Sequence, residues 1–435
     1  MRQNQAVTTS SAPAAFRGRA DRTRIASHLE DLIAIPSMGG TPAEVEVQDF
    51  LADRWGNDGL TVERWEIDAA QLSTRPDFPG MEVDRSRAIG VAARLVGTGG
   101  GRTLMLNGHT DVVPPGDIAA WSADPFAPRR VTIDGRECIV GRGACDMKGG
   151  LVGAWEAVRM VQESGVELRG DVVLCPVSGE EDGGLGTYAA IDHLVRNAGL
   201  TIDACVIPEP TDLDIVPANG GALTFRLRIQ GSAIHASRRA EGVSAIEKFW
   251  PIHAALMELE ERRNAHVDAL MRRWPIAYPL SIGTIHAGDW ASTVPDLLVA
   301  EGRLGVALDE SVDQARLALE QAVAHACESD AWLKDHPVSV EWWGGQFASG
   351  RTDPDAAIVS MVHSSHERHT GDQPDTYGGP YGSDLRLLAG MAGIPTLQYG
   401  PGDTVVAHAP NEYVRLDDVV TCAEVLADVI VDFCG

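Results

Sequence analysis

Apolar positions recur with helical spacing through "RIASHLEDLIAIP", where Ile25, Leu29, Leu32 and Ile33 share one face and Pro36 ends the run. A second helix is predicted in "AEVEVQDFLADRW". Short apolar runs then alternate with helical ones: "TLMLNG", the helix "GLVGAWEAVRMVQES", "DVVLCPVSG", the helix "YAAIDHLVRNA" and "DACVIPEP". Strands alternating with helices in this way predict a largely parallel sheet covered on both faces. Beyond Pro217 the rhythm changes. "ALTFRLRIQG" alternates with period two, "VSAIEKFWPIHAALMELEERRN" is a long amphipathic helix, and "LSIGTIHAG" and "LLVAEGRLGVAL" read as neighbouring antiparallel strands. The helix "VDQARLALEQAVAHACES" and the strand "VSVEWW" complete a β-α-β-β-α-β unit. From about Gly345 the α/β pattern returns, with "IPTLQYG" as a buried strand and "DVVTCAEVLADVIVDF" as the closing helix. The expected fold is therefore α/β, with helices on both faces of the sheet and an inserted α+β, ferredoxin-like domain. The expected division is a disordered leader over 1–22, a first domain segment over 23–218, the insertion over 219–345 and the returning segment over 346–435.

The chain has 435 residues, enough for about two domains. Its net charge of −26 excludes polyanionic partners, nucleic acid or an anionic membrane, because either would be repelled. The seven cysteines form no C-x-x-C pair and no even framework, which points to a reducing cytoplasm. The first residues lack an apolar core of signal-peptide type and read as a disordered leader.

The chemistry gathers at the carboxyl ends of the predicted parallel strands. "TLMLNGHTD" ends on His109 and Asp111, "GRGACD" leads to Asp146, and "VVLCPVSGEED" runs into Glu180, Glu181 and Asp182. "CVIPEP" ends on Glu209, and "LQYGPGDTVVAH" reaches His408. Ligands of open α/β sheets collect at that edge, so these distant residues are expected to converge on one crevice. Three consecutive acids leaving a buried strand store like-charge repulsion that a cation would relieve. Two imidazoles with several carboxylates suit zinc, or else manganese or cobalt, better than magnesium.

The spelling of "NGHTDVVPPGD", "GRGACDMKGG", "SGEEDGGLGT", "PEPTD" and "GPGD....AHAPNEYV" closely resembles the M20 family of co-catalytic metallohydrolases. That family contains acetylornithine deacetylase, succinyl-diaminopimelate desuccinylase, aminoacylase and glutamate carboxypeptidase. The resemblance covers about residue 23 to the C-terminus. It implies two divalent metal ions, zinc first and cobalt or manganese next: His109 and Glu209 on one, Glu181 and His408 on the other, Asp146 bridging. It also implies that Asp111 fixes the His109 tautomer through its carboxylate. Glu180 is then the general base that activates the attacking water, and Asp182 is left as a solvated or turn-forming residue. "GSAIHASRRAEGVSAIEK" resembles the family's lid segment, which makes the insertion a lid and dimerisation domain. His235 would reach the partner subunit's site and stabilise the oxyanion there, so a homodimer is expected.

The resemblance is less definite about substrate. Glu209 matches the deacylases and carboxypeptidases, which bind a substrate carboxylate through a lid arginine. This chain departs from the common pattern in two places: "GDWASTVPD" puts Ser292 where many members have Asn, and "EGRLGVALDES" puts Arg303 about two positions early, on the same strand face. Ser292 and Arg303 are the expected substrate-binding residues. The expected function is hydrolysis of a small N-acyl amino acid. Formylaminopyrimidine deformylase, carboxypeptidase or dipeptidase action, and an inactive metal-binding protein are the alternatives.

Overall fold

The computed structural model describes residues 18–435. The leader expected over 1–22 therefore falls mostly outside the described residues. Its last part is a correction: the first helix begins at Arg22, capped by the Asp21 carboxylate accepting from Thr23 N and Arg24 N, and Arg22 pairs with Glu137 at 3.0 Å.

A nine-stranded mixed sheet forms the centre. Its order is Thr61–Ile67, Ala88–Leu95, Val172–Val177, Leu104–His109, Ala204–Ile207, Thr396–Gln398, Ile215–Asn219 and Gly350–Arg351, with Thr376–Gly379 also pairing Ile215–Asn219. The four middle strands from Val172–Val177 to Thr396–Gln398 are mutually parallel, and antiparallel strands flank them. Thr61–Ile67 and Ala88–Leu95 were not legible as strands in the pattern above. Neither was a small sheet of Arg129–Ile133, Arg136–Val140 and Tyr413–Arg415.

Alternation along each central strand feeds two cores, because successive side chains leave on opposite faces. Leu104, Leu106, Val172 and Leu174 join the helices Arg22–Ile33, Pro42–Asn57, Gly149–Ser164, Ala357–Thr370 and Leu416–Cys434. Met105, Val173, Cys175 and Val177 join the segments Leu185–Ala190, Ile191–Asn197 and Arg386–Met391 on the other face. Both faces of the central sheet are therefore closed.

The inserted unit has its own core. Four antiparallel strands stand in the order Leu280–Ala287, Leu297–Val306, Gly221–Gln230 and Ser339–Phe347, backed by the helices Ala245–Asn264 and Val312–Glu328. Ser244 caps the first helix, and Ser311 with Gln314 forms a capping box on the second. Leu223, Phe225, Leu227, Leu298, Ala300 and Leu304 fill this core. The alternate positions, including Thr224 and Arg303, consequently lie on the face turned away from the helices.

Candidate active site

The parallel strands end along one edge of the sheet, and that edge carries the site. Leu104–His109 ends on His109, Val172–Val177 runs into Ser178, Gly179, Glu180 and Glu181, and Ala204–Ile207 is followed by Pro208 and Glu209. Asp146 stands on the tight turn Ala144–Lys148, and His408 on the long loop after Thr396–Gln398. Gly179 has φ +75°, and a Cβ there would sit 3.0 Å from the Arg85 guanidinium, so glycine is required. His408 itself has φ +61°, an uncommon conformation for a side chain-bearing residue that the surrounding loop must hold.

His109 Nε2 lies 2.9 Å from Asp146 Oδ1 and 3.9 Å from Glu209 Oε2. His408 Nε2 lies 3.2 Å from Glu181 Oε1 and 3.4 Å from Asp146 Oδ2. Asp146 thus turns one oxygen to each imidazole. Ligand-capable atoms of His109, Asp146 and Glu181 lie within 4.8 Å of one another, as do those of His109, Glu180 and Glu209.

The electrostatics follow from burial. Loss of water pushes Glu180 well above its ordinary value, with the Asp384 carboxylate adding to it, and pushes Glu209 up to about 8. Burial acts on Asp146 in the same sense, but the His109 and His408 hydrogen bonds outweigh it and hold its carboxyl well below the usual range. The hydrogen bonds to Asp146 and Glu181 draw His408 up to about 11. Carboxylates removed from water and converging on two imidazoles would face a divalent cation as readily as they draw protons onto the rings. The donor set of two imidazoles and carboxylates fits a two-metal site of zinc, cobalt or manganese type.

The structure brings together His109, Asp146, Glu180, Glu181, Glu209 and His408. Other expectations need correction. His109 Nδ1 donates to the Asp111 main-chain carbonyl at 2.9 Å, while the Asp111 carboxylate is 3.9 Å away. That carboxylate instead accepts from the N–H groups of Glu180 and Glu181, at 3.3 and 3.2 Å. Asp111 therefore fixes the His109 ring through its backbone and shapes the acidic turn through its side chain. Asp182 is neither solvated nor a simple turn residue: it is buried, paired with Arg85 at 2.8 Å, and accepts from Val83 N. His235 and Ser292 are exposed neighbours on the inserted unit, where Ala236 N donates to Ser292 O at 2.8 Å. Neither is among the residues lining the cleft of their own chain.

Sequence reasoning missed the groups that hold this arrangement. Glu412, buried in "AHAPNEYV", accepts from Gly143 N, Cys145 N and Asp146 N and from Arg142 Nη1. Arg142 Nη2 also donates to His408 O at 3.2 Å, which ties the Asp146 turn to the His408 loop. Arg85 pairs with both Glu44 and Asp182. Asp384 accepts from Thr187 Oγ1 at 2.6 Å. The only signal for these was burial of charge, which the sequence does not display.

A cleft of about 380 Å³ opens over the cluster, lined by Glu180, Glu209 and His408 together with Arg303, Phe347 and Tyr381. A second cavity of about 510 Å³ shares Glu181, His408 and Arg303 with it.

The family model described as Peptidase family M20/M25/M40 matches residues 105–432, which include every candidate ligand named above. The chain belongs to this M20 family. It is 28% identical to an N-formyl-4-amino-5-aminomethyl-2-methylpyrimidine deformylase of Bacillus subtilis (strain 168), over 95% of this chain and 96% of that protein. It is 32% identical to a succinyl-diaminopimelate desuccinylase of Methylobacterium nodulans, over 90% of this chain and 91% of that one. Its fold matches a solved Bacillus subtilis protein described as a dinuclear metal binding peptidase from the M20 family, with a TM-score of 0.60 at 18% identity, covering 95% of this chain and 98% of that one. As an M20 member the chain is a metallohydrolase acting on amide bonds, with a mixed α/β fold built on a mostly parallel central sheet.

Proposed function

We propose that this chain hydrolyses the amide of a small N-acylated amine, with Glu180 as general base. The observation that carries it is the Glu180 side chain: it is buried at the cleft among the ligand candidates, and none of the hydrogen bonds of the described residues ends on its carboxylate. His109 and Glu209 would hold one divalent ion, Glu181 and His408 a second, and Asp146 would bridge them, zinc being the first choice. When bound, the two ions supply Lewis-acid polarisation of the amide carbonyl and ease ionisation of water. Glu180 takes the proton from the attacking water as its oxygen bonds to the carbonyl carbon. It returns that proton to the nitrogen as the C–N bond breaks, giving an acid and an amine. His235 of a second copy would stabilise the oxyanion, which makes the working form a homodimer. Seven free, buried cysteines support the cytoplasmic reading.

Two substrate readings rest on separate observations. Arg303 in the cleft wall favours an N-acyl amino acid. Similarity to the deformylase, together with the aromatic wall of Phe347 and Tyr381, favours a formylaminopyrimidine. The mechanism is tested by paired variants. Glu180→Ala is expected to lower kcat by several orders of magnitude while keeping its metal, and Glu181→Ala to lose metal. If the two exchange those behaviours, the assignment of base and ligand is wrong. Hydrolysis by a preparation free of metal would end the two-metal proposal.

A further inference from the structure

Arg303 is the single Lys or Arg among the residues lining the cleft, so it is the group on which recognition of a substrate carboxylate depends. It is already engaged. Arg303 Nη2 lies 3.1 Å from Glu82 Oε1, the same oxygen that accepts from Thr224 Oγ1 at 2.9 Å and from Gly345 N at 3.2 Å. Thr224 and Arg303 are direct cross-strand partners, so both reach Glu82 from one face of the inserted sheet. The backbone of Glu82 is fixed from the other direction: its N–H donates to Asp182 O at 3.1 Å, beside the acidic turn that carries Glu180 and Glu181. Gln346 N donates to Pro79 O at 3.0 Å, anchoring the same segment to the last strand of the insertion. Glu82 is therefore held by contacts of its own, independent of Arg303.

We infer that Glu82 is the residue that sets substrate charge at this site: by neutralising Arg303 it cancels the preference for a free substrate carboxylate that the arginine would otherwise give the cleft. This rests on the hydrolase reading above and removes the observation that favoured its N-acyl amino acid class. A carboxylate entering beside Arg303 meets a guanidinium that already has its counter-charge, and it lies close to a second carboxylate; the like-charge repulsion offsets what the arginine offers. Elsewhere the cleft lining includes Phe347, Tyr381, Pro279 and Ala222, apolar and aromatic surface of the kind an uncharged heteroaromatic or alkyl amide fills. Glu82 acts through Arg303 and is a positioning residue. It does not touch the reacting atoms.

The test uses the full zinc-loaded chain in a Glu180→Ala background, so that binding is read without turnover. Titration calorimetry compares N-acetylglycine with N-acetylglycinamide. With Glu82 present the two dissociation constants are expected to agree within about threefold. Glu82→Gln keeps one acceptor oxygen for Thr224, Gly345 and Arg303 but removes the charge, and is expected to shift the ratio toward N-acetylglycine by about tenfold or more. Adding Arg303→Gln is expected to abolish that shift. The inference is overturned if Glu82→Gln leaves the ratio unmoved, if the shift survives Arg303→Gln, or if the parent already prefers the carboxylate about tenfold. With Glu180 restored, the same shift should appear in kcat/KM for N-formylglycine against its amide, through KM and not kcat. A chain that binds as described but hydrolyses no amide would sink the hydrolase reading alone. An active enzyme with an unmoved ratio would sink only the role of Glu82.

Discussion

Glu412 concentrates the cost of building this site in one side chain. It satisfies three backbone N–H groups and the Arg142 guanidinium, all out of water. Glu412→Ala would leave a buried cation and three donors unpaired, an expected loss of about 3–5 kcal/mol read by urea unfolding. Because those donors lie on the turn that presents Asp146, metal affinity should also fall about 10–100-fold in a chelator competition. Glu412→Gln, which keeps an acceptor, should lose less of both. His109, Asp146, Glu181, Glu209 and His408 were legible as candidates because their residue types recur at strand ends. Glu412 was not, since an acid in a loop acquires this role only from donors that lie some 270 positions earlier in the chain.

Helices and strands show where pattern and packing part. The central strand Leu104–His109 was read correctly because its apolar run is continuous. Leu106→Ala is expected to cost about 2–5 kcal/mol, since the side chain is fully buried in the core between the sheet and its covering helices. Thr61–Ile67 was missed because most of its positions are exposed or half-buried, and it pairs with Ala88–Leu95 only along the sheet margin. Between the helices Ala357–Thr370 and Leu416–Cys434, His369 lies 3.2 Å from Asp428 and 3.7 Å from Glu424, and these carboxylates raise it from an ordinary 6.5 to about 9. A raised histidine stabilises the fold fully below about pH 6.5 and loses that contribution as pH climbs through about 9. His369→Gln should therefore cost about 1–2 kcal/mol at pH 6, allowing for the competing Arg368 pair to Asp428. The difference in Tm should vanish at pH 10. A deficit persisting there would show that packing, not charge, is the contribution.

At the scale of the whole molecule, the inserted unit presents its exposed edge strand Leu280–Ala287 together with Ile285, Trp290 and Leu297, apolar side chains left open in one chain. His235 bridges Thr293 in the loop that also carries Ser292 and Trp290, and neither His235 nor Ser292 lines its own cleft. A partner subunit docking there would cover the apolar residues and bring a histidine to each site. Glu180→Ala and His235→Ala are each expected to be nearly inactive alone. If His235 acts across a twofold interface, an equal mixture should recover about a quarter of the parent activity, from hybrid dimers that hold one complete site. No recovery after verified subunit exchange would exclude action in trans.

The sequence by itself determined the α/β class, the two strand-and-helix rhythms and the set of side chains able to hold metal, because periodicity and residue type are local properties of the chain. It also carried the resemblance that led to the M20 family. Tertiary structure alone decided which groups neutralise which. It gave Asp182 to Arg85 and the Asp146 turn to Glu412, turned the Asp111 carboxylate away from His109, and set Glu82 against Arg303. A charge in a linear sequence has no partner until the fold removes it from water, and only then does its neighbour determine what it can bind.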